Sequence, residues 1–153
     1  AGDPGEICGG GDKVPGEYKE RSPRPADGWF PTRDAGYLDE DGYLFLSGRA
    51  DDVIVRGGEN MSPGEIEDVL LTHPAIADAC AVGMPSVEWG EAVAGVLVVR
   101  EGHSQPDEAD VKALVRDRLR SSRVPEAIRF EDALPYNEMG KLLRREVRKL
   151  FAV

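Results

Sequence analysis

Residues 48–70, GRADDVIVRGGENMSPGEIEDVL, change their period in mid-run, and that change limits the fold more than anything else in the chain. DDVIVRGG reads as a short strand, with Val53 and Val55 on one face and Ile54 on the other. Gly57 and Gly58 mark a place where backbone must bend or lie close to a ligand. Ser62 is then a good helix N-cap, Pro63 fits the first helical position, and Glu65 is placed to complete a capping box. Ile66, Val69 and Leu70 follow at helical spacing, which predicts a short amphipathic helix over 63–72. Strand, bend and capped helix in immediate succession call for an architecture that mixes α and β.

The flanking sequence extends that reading. AGYLDEDGYLFLS, residues 35–47, alternates apolar and polar residues around Asp41-Gly42, a hairpin signal. After the helix, AIADACAVG (75–83) and AVAGVLVVR (92–100) are β-rich runs bounded by Pro and Gly. SQPDEADVKALVRDRLRSS offers a cap at Ser104, acids in a first turn, and a buried stripe of Val111, Leu114, Val115 and Leu119. EAIRFED (126–132) is a third strand, LPYNEMGK a loop, and LLRREVRKLFAV a closing helix with cations in its last turns. The order after the hairpin is α-β-β-α-β-α, which predicts an α+β fold: a hairpin followed by a layer of about three strands packed with helices. The first 30 residues are dense in Gly and Pro, with GEI the only strand-like fragment. They read as loops and short edges of something larger, or as a flexible arm.

Charge narrows the function classes. Nineteen Lys and Arg stand against 29 Asp and Glu, a net charge of −10. A surface of that sign repels phosphate backbones and anionic lipid, so neither nucleic acid nor a membrane surface is an expected partner. No apolar run is long enough to span a bilayer, and the first residues have no apolar signal core. Of the two cysteines, Cys80 lies in an apolar run and Cys8 in a Gly-rich one. A buried thiol and a loop thiol in a reducing cytoplasm is the simplest reading, with a bridge between them left open.

Three places carry chemistry. GWFPTRD sets Asp34 at the end of an aromatic-bearing segment, where a carboxylate can take both hydroxyls of a ribose. GRADD and RGGEN set Arg49 near a hairpin end and two glycines at a bend. PYNEMGKLLRR places Lys141 after a glycine, in a loop that enters a helix. Taken singly, each has a bland reading: a solvated Asp opening a turn, two tight turns, an exposed Lys. Together their order and spacing resemble the C-terminal portion of the adenylate-forming superfamily, the acyl- and aryl-CoA synthetases, luciferases and peptide-synthetase adenylation domains. GWFPTRDAGYLDEDGYLFLSGRADDVIVRGGENMSPGEIEDVL is similar to that family's aromatic-x-T-G-D motif, its G-R-x-[DK] hinge motif and its G-x-x-x-x-P-x-E-I-E stretch. PYNEMGKLLRR resembles the P-x-[TN]-x-x-G-K-[ILV]-x-R motif. The resemblance covers residues 28–150. It departs at Arg33, where the family has Gly, and at Asn137, where Thr is commoner.

The resemblance implies roles residue by residue. Asp34 would bind the ribose hydroxyls of ATP and of the acyl-adenylate, with Arg49 beside the same ribose and phosphate. Asp51 would be the hinge about which a small domain turns after adenylation. Lys141 would be the catalytic lysine at the substrate carboxylate and α-phosphate. Gly57, Gly58, Glu59 and Asn60 would face the pantetheine arm of CoA. No metal-binding residue is expected here, although ATP, Mg²⁺ and CoA would serve the whole enzyme. Residues 1–50 would be the tail of a large N-terminal adenylation domain, and 51–153 the mobile C-terminal domain.

The family's Ser/Thr/Gly-rich phosphate loop and its aromatic-Thr-Glu segment have no counterpart in these residues. The chain is therefore expected to be an excised piece, a proteolytic product or a split subunit. On its own it should bind no cofactor tightly and make no acyl-adenylate. RGGENMSPGEIE looks more like the CoA ligases of fatty or aromatic acids than like peptide-synthetase domains, and a ligase of lipid metabolism is the expectation. Two alternatives stand beside it: an adenylating enzyme that loads a carrier protein, and a stand-alone, non-catalytic module. A non-enzymatic nucleotide-binding protein has no phosphate loop to rest on.

Overall fold

The computed structural model describes residues 5–10 and 29–152. The Gly/Pro-rich run from residue 11 to 28 lies outside them, so the expectation of loops or an arm there applies to residues that are not described. The chain divides into two compact units, Ala1–Asp51 and Asp52–Val153.

The first unit is a three-stranded antiparallel sheet in the order β1 (Gly5–Gly10), β2 (Trp29–Leu38), β3 (Leu44–Arg49). The expected hairpin is β2–β3. Its loop is organised by Asp39, whose Oδ1 accepts from the amides of Asp41 at 3.0 Å and Tyr43 at 2.8 Å, while Gly42 takes φ 84°. β2 bulges between Ala35 and Gly36. The bulge brings Gly36 so close to β3 that a Cβ there would meet the Phe45 carbonyl oxygen. Both faces expose apolar side chains: Tyr37 and Phe45 stack 5.2 Å apart on one, and Leu38, Leu44 and Leu46 lie on the other.

The second unit is a three-layer sandwich. β6 (Ile76–Ser86) and β7 (Gly90–Val99) form a long antiparallel hairpin, and β8 (Ala127–Phe130) runs parallel to β7. These are the three expected strands. The short ribbon β4 (Ile54–Arg56) and β5 (Glu59–Met61) joins β7 through Arg56 and Gly90, which extends the sheet to five. Helices α1 (Pro63–Leu70) and α2 (Glu108–Arg118) share one core cluster with Ile54, Ala79, Ala81, Val93, Leu97 and Ile128. Helix α3 (Arg144–Lys149) sends Val147 into a second cluster with Cys80, Val82, Ala94 and Val96. Consecutive residues of β6 and β7 thus feed opposite faces. Both faces are covered, and this is why the two strands read as unbroken apolar runs.

Two expected caps differ from those observed. Ser62 holds the N-cap backbone geometry of α1, but its side chain makes no capping bond, and Glu65 is drawn away to Arg123 at 2.9 Å. Helix α2 is capped by Asp107, whose Oδ1 accepts from the Ala109 amide at 2.7 Å, and not by Ser104. Val111 and Val115 of its stripe are fully buried, while Leu119 packs from the edge. Cys8 and Cys80 are both free thiols, the first exposed and the second buried. No helix among the described residues is long and apolar enough to cross a membrane.

Candidate functional site

Asp34 and Arg49 are brought together in the first unit by strand register. They sit opposite one another on β2 and β3, and Arg49 Nη1 donates to Asp34 Oδ1 at 2.8 Å. Thr32 sets the carboxylate's backbone. Its hydroxyl donates to the Ile7 carbonyl at 2.8 Å and accepts from the Asp34 amide at 3.1 Å. Arg33, between them, is the one described non-glycine residue with positive φ, at 61°, and its amide donates to Glu6 Oε1 at 3.1 Å. That left-handed backbone accounts for a glycine as the family's usual residue at this point. The Asp34 carboxylate is part-exposed and held by a guanidinium, so it can accept hydrogen bonds from a pair of hydroxyls such as those of a ribose.

Asp51 lies in a 3-10 turn (Ala50–Asp52), at the boundary between the two units. Its neighbour Asp52 reaches Arg144 Nε at 3.5 Å. Arg144, Glu67 and Asp52 form an ionic cluster that the sequence reading missed. The Arg144 guanidinium pairs with both carboxylate oxygens of Glu67 and touches Cys80 Sγ at 3.4 Å. β6 is an edge strand, and the pair caps its open backbone. Glu67 Oε1 accepts from the Ala81 amide at 2.7 Å, and Arg144 donates to the Ala81 carbonyl at 3.1 Å. Arg144 and Glu67 are only 18% and 12% exposed. Burial works against the Arg144 charge, yet the hydrogen bond to Glu67 wins and the guanidinium holds its proton more tightly than usual. Burial also pushes the Cys80 thiol up to about 12, so it is an inert core residue.

Gly57 and Gly58 form the two-residue turn between β4 and β5, with φ 56° and 84°. Positive φ at both positions is the signature of a type I′ hairpin, which Gly-Gly favours. Gly57 also lies against Trp89, whose carbonyl accepts its amide at 2.8 Å and whose ring would meet an added Cβ at 3.1 Å. Both glycines and Asn60 are exposed, and Glu59 is half-buried.

Lys141 is exposed in a tight loop closed by Asn137. The Asn137 Oδ1 accepts from the amides of Met139 at 3.0 Å and Lys141 at 2.8 Å, while its own amide donates to the Lys141 carbonyl at 2.9 Å. Tyr136 fastens the loop to β6 by donating to Asp78 Oδ2 at 2.7 Å. That bond, helped by burial, pushes the phenol up to about 12. Within the second unit, the lysine loop is therefore tied to the Asp78 end of the β6–β7 hairpin and the glycine turn to the Trp89 end. Eight residues of strand separate Asp78 from Ser86, roughly 26 Å.

Among the described residues, no group of three or more His, Cys, Asp or Glu side chains is placed to hold a metal ion. The family model for the AMP-binding enzyme C-terminal domain matches residues 65–141. The chain belongs to that family, the C-terminal portion of adenylate-forming enzymes. It is 43% identical over 150 residues to a 2-succinylbenzoate–CoA ligase of Geobacillus kaustophilus, covering 95% of this chain and 30% of the relative. It is 46% identical over 125 residues to the fatty acid–[acyl-carrier-protein] ligase ScoC of Streptomyces coeruleorubidus, covering 82% and 24%. Among solved structures, it matches o-succinylbenzoate CoA synthetase from Bacillus subtilis, in complex with its acyl-adenylate, with a TM-score of 0.85 at 35% identity. That match covers 95% of this chain and 30% of the other. The chain thus spans less than a third of the length of these relatives.

Proposed function

We propose that this chain is the C-terminal part of an ATP-dependent acyl-CoA synthetase. In the first half-reaction a carboxylate oxygen attacks the α-phosphorus of ATP, which enters with Mg²⁺, and pyrophosphate leaves. In the second, the CoA thiol attacks the acyl carbonyl, loses its proton, and AMP leaves. Lys141 serves the first step, because an ammonium between carboxylate and phosphate offsets the repulsion of two anions. Asp34 and Arg49 hold the ribose. Gly57, Gly58, Glu59 and Asn60 border the pantetheine path, and Asp51 is the hinge.

The observation that carries this reading is the separation of the lysine loop and the glycine turn at opposite ends of one hairpin. Two groups tied to opposite ends of a strand run roughly 26 Å long cannot attend the same carbon in one orientation. If both serve one acyl group, the unit must turn between the steps, and Asp51 stands at its border. Residues 1–50 are then the tail of a large adenylation domain, whose remainder would cover the open aromatic face of the first unit. Residues 51–153 are the mobile domain. The two free thiols suit the reducing cytoplasm.

The test uses the intact enzyme that carries this chain. It should catalyse ATP–pyrophosphate exchange that depends on a carboxylic acid and release a thioester once CoA is added, while residues 1–153 alone should do neither. Asp51→Pro should disable one half-reaction far more than the other, because proline fixes φ where the chain must pivot. Loss of neither half-reaction contradicts the hinge. The similarity to ScoC favours one second reading, in which the acceptor is the phosphopantetheine of a carrier protein. Thioester formation on a carrier that bears a free phosphopantetheine thiol, and none with free CoA, would select it.

A further inference from the structure

The Gly57–Gly58 turn crowns a ribbon of only three residue pairs, and a two-stranded ribbon that short does not hold its shape unaided. The second unit supplies a brace from a distant segment, the 3-10 turn Ser121–Arg123. Arg56 and Glu59 are the register pair that brackets the two glycines. Arg56 Nη1 donates to the Ser122 carbonyl at 2.9 Å, and Arg56 Nη2 to Glu126 Oε1 at 2.7 Å. On the other strand, Arg123 Nη1 donates to Glu59 Oε1 at 2.6 Å. The same guanidinium ties α1, its Nε donating to Glu65 Oε2 at 2.9 Å. Arg123 is 14% exposed and bridges residues 58 and 64 positions away in sequence. Its bond holds the Glu59 carboxyl below its ordinary 4.5, so the pair stays ionic at neutral pH.

We propose that Arg123 is a positioning residue for thioester formation: by gripping Glu59 and Glu65 it keeps the Gly57–Gly58 turn in the open shape that admits the CoA thiol. This rests on the assignment of that turn to the CoA path. Arg123 need not touch CoA. It fixes the strand end from which the turn springs, while the Trp89 carbonyl and ring fix the Gly57 side. Lys141 sits at the other end of the hairpin, so loosening the turn leaves the adenylation geometry intact.

Two measurements test this. In the 153-residue chain, Arg123→Ala should speed amide exchange at Glu59, Asn60 and Met61 about tenfold, the loss expected for one charged hydrogen bond. In the intact enzyme, the same change should raise KM for CoA about tenfold and leave acid-dependent ATP–pyrophosphate exchange unchanged. Arg123→Lys should recover part of both, and Glu65→Gln should shift both in the same direction by less. Should Arg123→Ala unfold the chain, those two milder variants carry the same readouts. Unchanged amide exchange, an unchanged KM for CoA, or equal damage to both half-reactions would overturn the proposal. A wild-type enzyme that forms no thioester with CoA would instead overturn the assignment of the turn, a result read before any variant is made.

Discussion

The two units handle apolar surface in opposite ways. The first leaves Tyr37, Phe45, Leu38, Leu44 and Leu46 exposed on a three-stranded sheet, with Ala35 the only buried apolar residue among those described. The second seals a five-stranded sheet between helices on both faces, and Ile54, Ile66, Leu70, Ile76, Leu97 and Val147 are fully buried. A three-stranded sheet with apolar side chains exposed on both faces completes no core of its own among the described residues. A sheet covered on both sides completes its own core.

The sharpest way to break that contrast is to separate the units. Residues 52–153 alone should unfold in one cooperative urea transition, whereas 1–51 alone should show none. A cooperative transition in the shorter piece would end the comparison. Next in size is the ionic cluster over the β6 edge. Arg144→Leu strands the part-buried Glu67 carboxylate and should cost about 1–3 kcal/mol by urea denaturation of the second unit. Adding Glu67→Gln should restore part of it. A loss below about 1 kcal/mol would mean that the packing alone secures that edge.

A smaller effect of opposite sign belongs to the first unit. Arg33→Gly should stabilise it by roughly 1 kcal/mol, because glycine adopts the 61° φ without a Cβ penalty. The change should be read as slower amide exchange in β2 with none in the second unit. The smallest effect is local and set by pH. Tyr136 has its folded-state value raised from 10.0 to about 12, so its bond to Asp78 contributes fully below pH 10 and is lost as pH rises toward 12. Amide exchange at Lys141 should accelerate over that window in excess of the intrinsic base dependence, and in Tyr136→Phe it should do so from the start.

What could be read from sequence follows the range of the interactions. The strands and helices are local patterns, and all three helices and the expected hairpin form. The type I′ turn was also legible, since Arg56-Gly57-Gly58-Glu59 is a two-residue Gly-Gly connection, but a strand running into a capped helix masks it. Ser62 is the N-cap of α1, but the capping box does not close: Glu65 answers to Arg123, 58 residues away, and nothing in the local pattern records that partner. Glu67 and Arg144 each look like ordinary charges on a helix face. Only the sheet edge between them makes a part-buried pair of residues 77 positions apart. The candidate site divides the same way. The residues of each patch lie close in sequence or register, Asp34 with Arg49 and Gly57 with Asn60. Their distribution along a 26 Å hairpin, roughly, depends on the fold and has no local signal.

If the two ends of the β6–β7 hairpin serve different steps, Lys141→Ala in the intact enzyme separates those steps most directly. Acid-dependent ATP–pyrophosphate exchange should fall by about a hundredfold or more, the usual loss for removing one fixed charge from a developing transition state. Thioester formation from supplied acyl-adenylate and CoA should stay within about threefold of wild type. Equal loss in both steps would mean that the lysine loop and the glycine turn act together, and the division of the second unit into two working ends would be wrong.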